Sequence, residues 1–130
     1  HPGELERLAG VGRDALAADR LAVARRLAAE WGVVLVLKGA ATVIADPSGH
    51  AFLNSTGDVG LASGGTGDVL SGMIGALLAQ GLAALPAALV GVYLHGLARD
   101  CQRAALRAAY FSASDLIAGI NPALRRLGAA

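Results

Sequence analysis

One stretch limits the folds open to this chain more than any other: residues 54–80, NSTGDVGLASGGTGDVLSGMIGALLAQ. It begins as a loop of almost entirely small residues and then turns abruptly apolar. At its centre stands Gly64-Gly65-Thr66-Gly67-Asp68, followed by Val69-Leu70, Met73-Ile74 and Leu77-Leu78. These pairs recur at helical spacing and predict the buried face of a helix starting near Gly65 to Asp68. A glycine-rich turn entering a helix gathers unpaired backbone N–H groups at one point, and the helix dipole adds partial positive charge there. Such a place suits phosphate, and glycine lets the backbone approach a ligand closely. Asp68 is open to two readings: a carboxylate that only supports the helix start, or a base held beside a phosphate site. The spacing is neither GxxxxGKS/T nor GxGxxG, so the turn alone does not decide.

The composition narrows the class. The chain has 130 residues, 55% hydrophobic and 16% charged, with a formal net charge of +1. This is a globular domain or part of one, and nothing in its charge suits nucleic acid. A single cysteine, Cys101, excludes an internal disulfide framework and a cysteine-cluster metal site. No charged segment followed by an apolar one opens the chain, so residence in the cytoplasm is the expectation. Residues 69–94 are nearly uncharged, but Gly81 and Pro86 break them into two pieces too short to span a bilayer, so no membrane association is expected. The first residues, His1-Pro2-Gly3-Glu4, include no Met and suggest a chain cut from something longer.

In order, residues 1–10 read as a turn and a short helical piece with Leu5 and Leu8 inward. Residues 14–31 read as one amphipathic helix with Leu16, Val23, Leu27 and Trp31 on its apolar stripe, ended by Gly32. Val33 to Leu37 is an apolar run that fits a parallel strand covered on both faces, with Lys38-Gly39 at its carboxyl end, where open α/β sheets bind ligands. Residues 42–45 and 51–53 pair across the turn Asp46-Pro47-Ser48-Gly49. Pro86 suits the first turn of a long helix running to about Arg107, whose buried side carries Val90, Leu94 and Leu97. Ser112 or Ser114 caps a last helix with Leu116, Ile117 and Ile120 inward, restarting at Asn121-Pro122, and Leu124 and Leu127 close the chain. His95 on an apolar helix reads as a satisfied core histidine, and Cys101 as a small core residue. About three strands and five helical pieces make an α/β chain with too little sheet for a complete doubly wound domain. The chain reads as the second half of one.

The sequence contains, in one order, His1-Pro2-Gly3-Glu4, Leu37-Lys38-Gly39-x-x-Thr42-Val43, Asn54-x-Thr56-Gly57 and Gly64-Gly65-Thr66-Gly67-Asp68-Val69-Leu70-Ser71-Gly72. Tyr93-Leu94-His95-Gly96-Leu97-Ala98 and Ser114-Asp115-Leu116-Ile117 follow. Together they resemble the ADP/ATP-dependent NAD(P)H-hydrate dehydratases, a branch of the ribokinase-like superfamily. The resemblance covers nearly the whole chain but only the C-terminal half of that family's catalytic domain. It implies a ribokinase-like three-layer α/β/α fold, with residues 1–130 as the C-terminal part of one catalytic domain.

The resemblance also implies an activity: nucleotide-dependent dehydration of damaged NADH and NADPH hydrates, with ADP or ATP consumed and Mg2+ bound, in a homo-oligomer. Lys38, Gly39, Ala40, Ala41, Thr42 and Asn54 would lie against the nucleotide. The stretch from Asp58 to Gly67, with Gly64, Gly65, Thr66 and Gly67, would form the other side of the nucleotide and its phosphates. Asp68 would act at the reacting hydroxyl and touch the substrate, and His1, Pro2, Gly3 and Glu4 would contact the hydrated nicotinamide. Asp58 stands where the family often has Asn, and the metal ligands are not implied. Two other readings stay open. A ribokinase-like kinase of a small alcohol or vitamin precursor would use the same loop and Asp68, although His1-Pro2-Gly3-Glu4 argues against it. An inactive nucleotide-binding fragment is the other.

Overall fold

The computed structural model describes residues 1–105 and 110–128. The chain divides into two units, the first His1–Asn54 and the second starting at Ser55.

In the first unit, helix α1 (Pro2–Ala9) is set by its ends. The His1 ring accepts from the Gly3 N–H, Pro2 opens the first turn, and Gly10 closes it in the left-handed region at φ 64°. Leu5 is buried, but Leu8, expected inward, is exposed. The single helix expected over 14–31 is two: α2 (Arg13–Ala18) and α3 (Arg20–Trp31). Asp19 breaks it, because its carboxylate accepts from the Ala22 N–H at 2.9 Å and so caps a new helix. A short acidic side chain at an N-cap outcompetes continuation of the helix. Leu16, Val23 and Leu27 are buried as expected, whereas Trp31 is half-exposed, and Gly32 ends α3 at φ 63°.

Three short strands follow: β1 (Leu35–Leu37), β2 (Val43–Ala45) and β3 (Ala51–Leu53), in the order β1-β2-β3. The parallel pairing expected of the 33–37 run is corrected, since β1 pairs antiparallel with β2, Leu37 opposite Val43. The five residues between them are too few for a crossover, which needs a dozen or more. Val33 is also exposed rather than part of the strand. β2 and β3 form the expected hairpin, held by buried Asp46, whose Oδ1 accepts from Ser48 N, Ser48 Oγ and His50 N at 2.7–3.0 Å. Val23, Ala24, Leu27 and Ala28 of α3 pack with Leu37, Val43 and Ala45 of the sheet. Each large aliphatic side chain buried there contributes about 1.5–3 kcal/mol.

The described residues of the second unit form a 3-10 turn (Val59–Ala62) and helices α4 (Thr66–Ala79), α5 (Ala84–Ala105) and α6 (Ala113–Arg126). Helix α4 starts where the glycine motif predicts. The break at 80–83 separates α4 from α5, and no helix among the described residues is long and apolar enough to cross a membrane. Leu94 and Leu97 are buried as expected; Val90 is exposed, and Arg107 lies outside the described residues. Ser112, not Ser114, caps α6, in a box with Asp115. Leu116 is fully buried and Ile120 packs on the same core, but Ile117 and Leu127 are exposed. The expected restart at Asn121-Pro122 does not occur, because α6 runs through Pro122 unbroken. His95 is buried as the core histidine expected, and Cys101 packs against the Leu94–Leu97–Leu116 cluster.

Candidate active site

Lys38 follows the last residue of β1 and is half-buried. The loop it opens is conformationally unusual: Gly39 has φ 156°, and Ala41 sits at φ 53°, the one non-glycine in the left-handed region among the described residues. Such a residue costs about 1–3 kcal/mol and persists only where the surroundings impose it. Here Arg20 imposes it. Its Nη1 donates to Ala40 O at 2.8 Å, and its Nη2 to Leu37 O and Lys38 O at 3.2 Å each. Thr42 closes the loop by donating to Gly39 O, and Asn54 N–H donates to Thr42 O at 2.9 Å. Six expected site residues, Lys38 to Thr42 and Asn54, therefore form one local cluster.

His1 to Glu4 make the first turn of α1. The His1 amine lies 3.0 Å from Glu4 Oε2 and holds that carboxyl below its usual range, with smaller contributions from Lys38 and Arg7. Glu4 thus lies in the field of Lys38, which ties these two sequence motifs to one region of the first unit.

In the second unit the glycine motif is held against α5. Thr56 Oγ1 donates to Tyr93 O at 2.8 Å, Gly57 N–H to Asp100 Oδ2 at 3.1 Å, and Arg99 Nε to Asp58 Oδ1 at 2.8 Å. His95 Nε2–H donates to Thr66 O at 2.9 Å. Thr66 is itself buried, with its hydroxyl donating to Leu61 O and Ser63 O, so this side chain serves the loop. Gly65 at φ 83° turns the chain into α4, and a Cβ there would meet the Ala113 Cβ at 3.2 Å. The amides of Gly67 and Asp68 fall in the first helical turn, where no intrahelical acceptor exists. Asp68 is exposed and caps nothing, since α4 has no side-chain cap. Asp68 thus shares the first turn of α4 with these amides.

The Arg99 guanidinium, joined by the Gly60 amide and Arg103, holds the Asp58 carboxyl below its ordinary value. Its depressed folded value means that Asp58 adds stability above the usual aspartate pKa of about 3.9, and that this is lost as pH falls through the folded value. The melting temperature of Asp58→Asn should therefore lie below that of wild type at pH 7, and the gap should close below about pH 4. A gap independent of pH would mean that the carboxylate charge is not what Arg99 uses.

Sequence reasoning missed Arg20, Arg99 and Asp100. The one available signal was Arg20 at the first position of α3, where a cation opposes the helix dipole. Among the described residues no three His, Cys, Asp or Glu side chains gather to hold a metal. A cleft of about 490 Å³ in the second unit is lined by Ser55, Thr56, Tyr93, Leu97, Asp100, Arg103 and Arg126, none of them an expected site residue.

A family model described as NAD(P)H-hydrate dehydratase matches residues 1–122. The chain belongs to the NAD(P)H-hydrate dehydratase family. The ADP-dependent (S)-NAD(P)H-hydrate dehydratase of Neisseria meningitidis is 43% identical over 128 residues, which are 98% of this chain and 42% of that protein. The bifunctional NAD(P)H-hydrate repair enzyme of Moorella thermoacetica is 51% identical over 100 residues, 77% of this chain and 19% of that protein. The crystal structure of the ADP/ATP-dependent NAD(P)H-hydrate dehydratase of Bacillus subtilis, co-crystallized with ATP and Mg2+, superposes with a TM-score of 0.91 at 40% identity, over 97% of this chain and 46% of that one. The chain spans less than half the length of each of these dehydratases. Its α/β fold is theirs, as the sequence led one to expect.

Proposed function

We propose that this dehydratase-family protein restores NADH and NADPH from their hydrates at the expense of ADP. The observation that carries the reading is Asp68 exposed at the start of α4 beside the glycine-turn amides, in a chain of this family. Hydroxide is a poor leaving group. Phosphoryl transfer from ADP to the ring hydroxyl oxygen makes it a good one, with AMP released and the hydroxyl proton passing to Asp68. The C–O bond to phosphate then breaks, the neighbouring ring carbon gives up a proton to water, phosphate leaves, and the new C=C bond restores the dihydropyridine. The Gly65 to Gly67 amides stabilise charge on the transferring group, which is mainly electrostatic work. Lys38 binds a phosphate as a point charge, and His1 to Glu4 contact the hydrated nicotinamide. Bound Mg2+ would neutralise phosphate charge, and as it usually keeps several waters it needs no protein cage. We read the chain as the C-terminal part of one ribokinase-like catalytic domain, working as a cytoplasmic homo-oligomer.

The test is to incubate the protein with NADH hydrate and ADP and follow NADH absorbance together with AMP. Both should rise in step. Phosphorylation of a small alcohol without NADH recovery would mean a kinase instead. On the nucleotide side, Lys38→Ala should weaken ADP binding by about 1.5–3 kcal/mol, the worth of a charge-assisted contact, with the melting temperature unchanged. Calorimetric titration measures this, and unchanged affinity would leave Lys38 a surface residue.

A further inference from the structure

We propose that Arg20 is a positioning residue for the nucleotide: its guanidinium holds the Lys38–Ala41 loop with three backbone amides aimed at the acceptor atoms of ADP. This rests on the reading of Lys38 to Thr42 as nucleotide wall. Three carbonyls within four residues, those of Leu37, Lys38 and Ala40, converge on one guanidinium at 2.8–3.2 Å. In a planar trans peptide the N–H points opposite to the C=O. Turning these three carbonyls toward Arg20 therefore turns the N–H groups of Lys38, Gly39 and Ala41 away from it. The result is three amide donors on the side of the loop turned away from Arg20.

Other features of Arg20 fit this task rather than support of the helix. It opens α3, where a positive charge is unfavourable. Its Nε is buried with no protein hydrogen-bond partner, so the guanidinium is engaged through its two terminal nitrogens alone. A Cβ at position 39 would lie 2.5 Å from Arg20 Nη2, so any larger residue there would push the guanidinium off these carbonyls. Lysine cannot replace it, because a compact ammonium does not span three carbonyls as the planar fork does.

The experiment is a double-mutant cycle on ADP affinity, read by calorimetry on the protein with melting temperature measured alongside. Arg20→Lys keeps the charge but loses the fork, and should weaken ADP binding about tenfold or more with the fold intact. Combined with Lys38→Ala its effect should shrink, because the two residues act through one loop. Free guanidinium at millimolar concentration should restore binding to Arg20→Ala, which loss of folding would not permit. Wild-type affinity in Arg20→Lys, or full additivity with Lys38→Ala, overturns the role of Arg20 alone. Wild-type affinity in Lys38→Ala overturns the nucleotide wall and this proposal with it.

Discussion

Asp68→Asn is expected to lower turnover by about 10²–10⁴-fold, the usual contribution of a general base. The amide keeps the shape of the side chain but cannot take the hydroxyl proton. ADP affinity should hold or tighten, because a negative charge beside the phosphates is removed. The melting temperature should hardly move, since an exposed first-turn carboxylate is worth about 0.3–1 kcal/mol to its helix. If Asp68 served only the helix start, the pattern would reverse, with a small loss of stability and a near-normal rate. Turnover, ADP affinity and melting temperature measured on one variant decide between these. Retention of more than about a tenth of the rate, under 1.4 kcal/mol of barrier, removes Asp68 from the mechanism.

Gly119→Ala is expected to destabilise the second unit clearly. Gly119 is buried in α6, and a Cβ there would collide with the Ala98 carbonyl oxygen of α5 and come within 2.9 Å of Gln102 Cγ. A backbone carbonyl cannot rotate aside as a side chain can, so the two helices must separate. Overpacking of this kind costs about 1–3 kcal/mol, against which the better helix propensity of alanine returns about 0.5–1. A net fall of several degrees in melting temperature follows. Gly75→Ala is the control. It is exposed on α4, its Cβ would meet nothing within 4 Å, and it should raise the melting temperature. Equal shifts in both variants would exclude the α5–α6 approach as the cause.

The contrast between these glycines shows what was legible in the sequence. The start of α4, the Asp46–Gly49 turn and the Gly32 cap each depend on a few neighbouring residues whose chemistry is local, and each was read correctly. The break at Asp19 was also local, but the apolar stripe of Leu16, Val23 and Leu27 continues in register across it and concealed it. Strand direction was not legible, because a continuous apolar run reports burial and not which neighbour provides it. Among the site residues, Lys38 and Asp68 stood out by type and place. Arg20 and Arg99 did not, because each acts on a segment 17–41 residues away, and only the fold brings them there. Thr66 reads as a ligand contact within its motif, yet its hydroxyl is spent on Leu61 and Ser63.

Between Tyr93 and Asp100, α5 offers a carbonyl, an imidazole, a guanidinium and a carboxylate to successive points of the loop from Thr56 to Thr66. The glycine motif is therefore not a portable module. Transplanted into another strand–turn–helix scaffold, Gly64 to Asp68 would have the right letters but no template to set them. Exchange between homologues should succeed when the loop and the 93–100 segment travel together and fail when either moves alone. For anyone redesigning this protein, the smallest heritable unit of the glycine loop is a pair of segments some forty residues apart.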